Sequence, residues 1–298
     1  RLKNKGNVID AHAPVDGVVK VVPRESNSNL NAAGGIYSSV ADMSKWAIMQ
    51  LNGGKYGNNQ SQQLFSPQMH NDMWTIHTVI PIAGSTAYNS QFRGYGLGWG
   101  LIDEMGNKVA SHTGGLLGMV TQVTLIPNMK LGIIVFTNQQ SGAAFQSITN
   151  TIKDAYYGIK GKDRIKQYHD GVIASEKNAN QIVEKIWNDI RTSSSVLQNP
   201  DKYVGTYKDP WFGNIKISKK DGGLYFYAEK SPLLHGSMSY YKEGTFVVKW
   251  EDRSLDADAF VNFGFDFNGV PTTLKMKAIS PLTDFSFDFH DLDFERVE

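Results

Sequence analysis

Tyr95-Gly96-Leu97-Gly98-Trp99-Gly100-Leu101-Ile102 is followed, after a short turn, by Ser111-His112-Thr113-Gly114-Gly115. The first segment alternates strand-forming residues with glycines. The second ends in an ionisable ring, a hydroxyl and two glycines. Residues without a Cβ let a ligand lie against a strand edge and leave backbone N–H groups uncovered. Such N–H groups suit a developing oxyanion. His112 can hold a positive charge near a substrate carboxylate or act on a neighbouring base. Thr113 can donate and accept a hydrogen bond. The plainer alternative is a hairpin in which Gly114-Gly115 simply makes the turn.

Working outward, four strands are predicted: Tyr95 to Ile102, Lys108 to Thr113, Val120 to Ile126 and Leu131 to Thr137. The breaks are Glu104-Met105-Gly106-Asn107, Gly114-Gly115 and Pro127-Asn128-Met129-Lys130. Each is short enough for a hairpin, so the sheet is expected to be antiparallel. A helix precedes it. Ser38 or Ser39 can cap its open N–H groups, and Asp42 sits where the helix dipole favours a carboxylate. Met43, Ala47 and Leu51 repeat every four residues with Trp46 beside them, and Asn52-Gly53-Gly54 ends the run. Ser66-Pro67 opens a second, shorter helix. Residues 1–34 read as polar loop with one short strand, Val18 to Val22.

Beyond the sheet, helices are expected over about 143–158 and 178–191, the latter with Ile182, Ile186 and Ile190 on one face. Thr192 to Ser195 and Asn199-Pro200 read as linker. Residues 200–298 turn to aromatics, glycine turns and short alternating runs: Asn214 to Ser218, Leu224 to Ala228, Thr245 to Trp250 and Phe260 to Phe267. That pattern is a small all-β domain, barrel or sandwich. The fold class is therefore α/β in the α+β sense: an antiparallel sheet flanked by helices over 1–160, a helical connector over 161–199, and a β-barrel domain over 200–298.

The 298 residues hold 30 basic and 29 acidic side chains, a net charge of +1. That balance gives no electrostatic footprint for nucleic acid or an anionic membrane. Cysteine is absent, which excludes disulfides, thiolate catalysis and cysteine metal sites. No apolar run reaches the length of a membrane span. The opening RLKNKGNVIDAHAPVDG has neither an initiating methionine nor an apolar leader, and is expected to be the middle of a longer protein.

Ala32-Ala33-Gly34-Gly35-Ile36-Tyr37-Ser38-Ser39-Val40-Ala41-Asp42-Met43-Ser44-Lys45-Trp46 resembles the stretch PAGG-x-x-SS-x-x-D-M-x-x-W of the penicillin-recognising, β-lactamase-related serine hydrolases of the class C type, with Ala32 in place of Pro. Tyr95-Gly-Leu-Gly-Trp, His112-Thr-Gly-Gly115 and the segment from Thr121 to Asn138 follow in the same order and spacing. The resemblance covers about residues 8–160. It implies a hydrolase that attacks a β-lactam, D-alanyl peptide or ester carbonyl through an acyl-enzyme. It also implies roles: His112 and the backbone N–H of Gly115 in catalysis, Thr113 and Gly114 in binding substrate, and no cofactor or metal. In the family a Ser-x-x-Lys supplies nucleophile and base, and a Tyr-x-Asn a second proton-transfer group. Both are expected upstream of Arg1, so that the N-terminal part of the same protein would be a partner. A periplasmic or extracellular location is implied as well. Residues 200–298 resemble the lipocalin-like β-domain appended to many of these hydrolases, through Tyr203-Val-Gly-Thr-Tyr207, Thr245-Phe-Val-Val-Lys-Trp250 and Ser280-Pro-Leu-Thr-Asp284. Ligand carriage, cleft restriction and stabilisation stay open for it, with stabilisation the default because small barrels fill with their own side chains.

Other candidates carry less. Ser239-Tyr-Tyr-Lys242 fits Ser-x-x-Lys but lies among strand formers, where the two side chains point apart. Tyr56-Gly57-Asn58 fits Tyr-x-Asn within a turn. His70 and His77 flank Trp74 at spacings that could share a helix face. His12 lies in a loop that could border the cleft, and His235 and His290 fall in the second domain. Asp284, Asp288 and Asp291 alternate with aromatics and read as the polar face of a strand rather than a calcium loop. The rival to the enzyme is a non-catalytic binding or structural module on the same fold.

Overall fold

The computed structural model describes residues 6–24, 31–193, 197 and 199–297. The expected linker at Ser194-Ser195, the opening residues 1–5 and part of the expected loop (25–30) lie outside the described residues. The chain divides into two compact units: residues 1–13 with 19–170, and residues 14–18 with 171–298. The division falls inside the predicted connector.

In chain order the first part holds β1 (Ala11–Val15), β2 (Val18–Val22), α1 (Asn31–Gly34), α2 (Val40–Leu51), β3 (Lys55–Tyr56), β4 (Gln62–Gln63), α3 (Pro67–Met73) and β5 (Thr78–Val79). It continues with β6 (Arg93–Tyr95), β7 (Gly100–Glu104), β8 (Asn107–Leu116), β9 (Met119–Ile126), β10 (Leu131–Phe136) and α4 (Gly142–Tyr157). The helix caps follow the sequence: Ser39 Oγ accepts the Asp42 N–H, and Ser66 Oγ accepts the Met69 N–H ahead of Pro67. The sheet runs β10-β9-β8-β7-β6-β5 and is antiparallel throughout.

The alternation of the strands gives the sheet two apolar faces. Leu101, Ala110, Val123 and Leu125 pack with Ala47, Met43, Trp46 and Leu51 of α2 and with Trp74 and Trp99. Val109, Ile126, Leu131, Ile133 and Val135 pack with Phe145 of α4. Trp46 and Trp99 stack at 5.4 Å between ring centroids.

Two strand boundaries depart from the sequence reading. The run from Tyr95 to Ile102 is two strands, β6 and β7, separated by a turn that the Gly96 N–H closes on the Trp99 carbonyl at 2.8 Å. Gly114-Gly115 is not a break: β8 continues through both to Leu116, with Gly114 opposite Thr121 and Gly115 opposite Val120. The turn is made further on, where Gly118 adopts φ +77° and a Cβ would meet the His12 backbone N at 2.6 Å.

A buried polar knot ties the far end of β7 to α4. Lys153 Nζ lies 2.7 Å from Glu104 Oε2, and Arg164 Nε donates to Asp154 Oδ2 at 2.6 Å. The Tyr88 hydroxyl donates to Asp154 Oδ1 at 2.9 Å, and Lys153 Nζ sits 4.3 Å above the Tyr88 ring. Burial drags the Lys153 pKa down against the pull of Glu104. The Arg164 hydrogen bonds hold Asp154 below the usual carboxylate range. Burial drives the Tyr88 and Tyr157 phenols far up, so both stay protonated.

The second helix is α5 (Arg164–Thr192), longer than the predicted 178–191. Its start is fixed by Asp163, whose carboxylate accepts the Lys166 N–H at 2.9 Å. The first half carries Ile165, Tyr168, Val172 and Ile173 at helical spacing, a periodic signal that extends the helix upstream of 178.

In the second unit, eight antiparallel strands close into a barrel: β11 (Gly205–Asp209), β12 (Gly213–Lys220), β13 (Gly223–Ala228), β14 (His235–Lys242), β15 (Thr245–Trp250), β16 (Ala259–Phe265), β17 (Pro271–Ala278) and β18 (Asp293–Arg296). Closure is made by β18, which pairs with both β17 and β11. The interior is filled by Tyr207, Phe226, Phe246, Trp250, Phe263 and Phe294 among others. Trp250 donates its indole N–H to the Ala257 carbonyl at 2.7 Å. Outside the barrel, Ile186 of α5 covers Val247 and Ile279. The Asp284–Asp291 segment is not the strand expected. It forms two 3-10 turns, Phe285–Phe287 and Phe289–Asp291, joined by Asp288 at φ 42°.

Candidate active site

The site begins where β7 stops. Its ladder with β8 runs from Glu104 opposite Asn107 to Gly100 opposite Ser111. Beyond Ser111, residues 112–116 of β8 pair with β9 on one side and with no described strand on the other. The direction of the free groups follows from the next strand pair. The Val120 carbonyl accepts the Thr137 N–H at 3.0 Å, so Val120 turns its backbone groups toward β10. In an antiparallel pair the residue opposite must then turn its own N–H and C=O the other way. That residue is Gly115. Its N–H, and that of Thr113 two positions earlier, face the open edge.

The two glycines serve different ends. A Cβ on Gly114 would come within 2.7 Å of Thr121 Oγ1, so Gly114 is needed for strand packing. A Cβ on Gly115 would meet only Val120 Cγ1, at an ordinary 3.9 Å. Packing therefore does not explain Gly115; its bareness leaves space over an exposed N–H.

His112, Thr113, Gly114 and Gly115 are all exposed. His112, Thr113, Ser111, Tyr95, Arg93 and Gln122 line a shallow cleft of about 370 Å³. His112 Nε2 lies 2.9 Å from the Tyr95 hydroxyl, and their rings meet edge to face at 6.2 Å. No acidic residue lines the cleft, and Arg93 makes no ion pair among the described residues. The cleft can thus offer N–H, hydroxyl and cationic groups to an oxygen-rich ligand.

The four site residues singled out from sequence lie together on one strand. Tyr95 belongs to the glycine-rich motif that precedes that strand, but nothing in the sequence pairs it with His112. Arg93, Ser111 and Gln122 were not among the sequence candidates. The signal was available for Arg93, which shares a strand with Tyr95 two residues on, and for Ser111, two residues before Thr113. Gln122 is brought in only by the β8–β9 register.

The remaining candidates lie elsewhere. His12 is on β1, not in a loop, and its Nδ1 sits 2.9 Å from the Asn138 carbonyl oxygen. His70 and His77 do not share a helix face, because α3 ends at Met73. His70 packs 4.4 Å from the Trp74 ring, and burial lowers its pKa. His77 Nε2 lies 2.8 Å from the Asp72 carbonyl oxygen. Ser239 and Lys242 are on barrel strand β14, Tyr56 ends the exposed β3, and Asn58 opens an exposed 3-10 turn. Asp288, His290 and Asp291 bring ligand atoms within 4.8 Å of one another at the end of the barrel. His290 and Asp291 are exposed there and pair with each other at 3.4 Å.

Comparison with known proteins agrees with the two-part architecture. The family model described as "Domain of unknown function (DUF3471)" matches residues 196–296, which hold the barrel. Two curated relatives are unguisins hydrolases: one from Aspergillus campestris, 22% identical over 70% of this chain, and one from Aspergillus violaceofuscus, 26% identical over 60%. The chain spans 38% and 33% of their lengths. Among solved structures, the octameric penicillin-binding protein homologue from Pyrococcus abyssi aligns over 98% of this chain and 54% of its own, at 15% identity and a TM-score of 0.43. SurE aligns over 100% and 58%, at 15% identity and a TM-score of 0.39. Scores this low carry no weight in placing the chain. The sequence match does: the model described as "Beta-lactamase" covers residues 4–156, more than half of the 298 residues and the whole of the sheet with its exposed His112–Gly115 edge. The chain belongs to the beta-lactamase family.

Proposed function

We propose that this chain forms one wall of the active site of a serine hydrolase that works on β-lactam, D-alanyl peptide or ester carbonyls. The observation that carries the proposal is the Gly115 N–H, turned to an unpaired strand edge beside His112 and Thr113. A carbonyl oxygen laid on that edge would gain negative charge in the transition state, and a fixed N–H donor there is worth about 2.7–4 kcal/mol. Thr113 would hold a polar group of the substrate, Gly114 would let it approach, and His112 would present a hydrogen-bonding or charged group beside it.

The covalent step needs a nucleophile. In it a serine hydroxyl adds to the carbonyl, its proton passes by way of a base to the leaving group, and the acyl-enzyme is released to water. None of the described residues supplies a serine with a lysine one helical turn on at this edge. We infer that the nucleophile and its base come from a part of the protein beyond these 298 residues. The hydrolase names of the two curated relatives support hydrolysis as the reaction class.

The test is an intact mass spectrum of the natural full-length protein after exposure to an acylating penicillin. An acyl adduct is expected, formed more slowly by His112→Ala and Thr113→Val. The 298 residues alone should neither acylate nor turn over substrate. Turnover by this piece would overturn the account of the nucleophile. A full-length protein that never acylates with any carbonyl probe would favour a binding module.

A further inference from the structure

We propose that Tyr95 is a positioning residue for His112, holding the imidazole with Nε2 as acceptor and Nδ1 as the nitrogen that carries the proton. The inference rests on His112 acting in the site described above. It adds a residue and a protonation geometry that the family match does not supply.

The hydroxyl of Tyr95 and Nε2 of His112 are 2.9 Å apart, and neither the hydroxyl nor Nδ1 has another partner among the described residues. A phenol is a good donor and a poor acceptor, because its oxygen lone pair is drawn into the ring. An sp² imidazole nitrogen is a good acceptor. The stronger arrangement is therefore O–H···Nε2, which puts the proton of the neutral ring on Nδ1. In free histidine the neutral ring prefers its proton on Nε2, so the contact reverses the intrinsic choice.

The sequence builds this contact across two strands. Tyr95 stands opposite Gly100, and Gly100 opposite Ser111, next to His112. Tyr95 is also firmly held from behind. Its carbonyl accepts the His77 N–H at 2.9 Å, and Leu97 N–H is bound to the Met73 carbonyl at 3.1 Å. Trp99, at the end of the same turn, is buried between Trp46 and Trp74. The hydroxyl is thus presented from a fixed frame to a ring on an otherwise unpaired strand end.

The consequence is directional. With Nε2 occupied, a neutral His112 offers the site an N–H at Nδ1 rather than a lone pair. It acts as a donor toward an oxygen ligand, not as a base that takes a proton from one.

The experiment uses the natural full-length protein with isotope-labelled imidazole nitrogens, in wild-type, Tyr95→Phe and Tyr56→Phe forms, with His112→Ala to assign the resonance. In the wild type, neutral His112 should show Nδ1 protonated and Nε2 accepting. Tyr95→Phe should shift the ring to the Nε2-protonated form and lower kcat about tenfold with KM changed less, as loss of one hydrogen bond allows. Tyr56→Phe, on the exposed β3, should change neither. A His112 tautomer that is Nε2-protonated in the wild type, or identical in wild type and Tyr95→Phe, overturns the proposal. If no form hydrolyses any carbonyl probe, the hydrolase reading fails, while the tautomer still decides the Tyr95–His112 pair. Should Tyr95→Phe fold poorly, the wild-type tautomer is sufficient: Nδ1-protonated supports the proposal and Nε2-protonated overturns it.

Discussion

The two units use the same building material, antiparallel strands, to opposite ends. In the barrel every strand has two neighbours, and β18 closes the ring. Its interior is packed solid with aromatics, of which Trp250, Tyr207, Phe226, Phe246 and Phe294 are almost fully buried. The sheet unit stops one ladder short: β7 ends at Gly100 while β8 runs five residues further. Those five residues include His112, Thr113, Gly114 and Gly115. Closing a sheet satisfies its backbone and silences it; leaving one strand end unpaired keeps N–H groups available for chemistry.

The barrel interior and the far end of the sheet also differ in what they bury, although Asp209 and Asp258 are buried at the barrel's margin, and that contrast can be broken first. The barrel interior is almost wholly apolar. The sheet unit buries two ion pairs, Glu104–Lys153 and Asp154–Arg164. Removing one partner of a buried pair leaves a charge without compensation, so Glu104→Ala should cost about 3–5 kcal/mol. Trp250→Ala should cost a similar ~3–5 kcal/mol through the cavity it leaves. The difference appears in the repair. Replacing Glu104 and Lys153 together with apolar residues of matched size should restore most of the loss, since a buried pair and an apolar contact are nearly equivalent in stability. No single partner change can refill the Trp250 cavity. Denaturant unfolding of the single and double variants tests this. A double variant as unstable as Glu104→Ala would mean the pair itself specifies the fold of the sheet unit.

Next in size is the contrast inside the Gly-Gly pair. Gly114→Ala must displace Thr121 and should cost about 1–3 kcal/mol by overpacking. Gly115→Ala meets no close contact and should stay within about 0.5 kcal/mol of wild type, as surface changes do. Hydrolysis should follow the reverse logic: Gly115→Ala narrows the space over the free N–H while leaving the fold intact. Equal stability losses at the two positions would show that Gly115 is there for packing, and would remove its claim to the site.

What was legible in the sequence divides along the same line. The helix starts at Ser39 and Ser66 and the strands around the sheet were readable because caps and alternation are local signals. Whether Gly114-Gly115 turns the chain or continues the strand was not, because turn and uncovered edge look alike until the register with Thr121 and Val120 is known. The split of Tyr95 to Ile102 into a hairpin was hidden by glycines that suit strand and turn equally. The Glu104, Lys153, Asp154 and Arg164 knot was invisible: its members are scattered over sixty residues of sequence and join only in three dimensions. Tyr95 was readable as a motif residue, but not as the partner of a histidine two strands away.

The smallest effect lies in acid. Asp154 is held ionised by Arg164, so its folded pKa lies below the 3.8 of an unperturbed aspartate. A group with a depressed folded pKa contributes stability that is complete above its unfolded value and is lost as pH falls toward the folded one. Between the two values the unfolded chain binds one more proton than the folded chain. The wild-type sheet unit should therefore lose up to about 1.4 kcal/mol per pH unit below about pH 4 from this residue. Asp154→Asn lowers the plateau at neutral pH, because Arg164 loses its carboxylate, but it also removes that share of the acid slope. Trp250→Ala, whose change involves no titrating group, should lower the plateau and keep the slope. Unfolding curves of the three proteins across the acid range separate the cases. If Asp154→Asn keeps the wild-type slope, the acid sensitivity belongs to other carboxylates, and the buried knot is held together by shape and hydrogen bonds more than by charge.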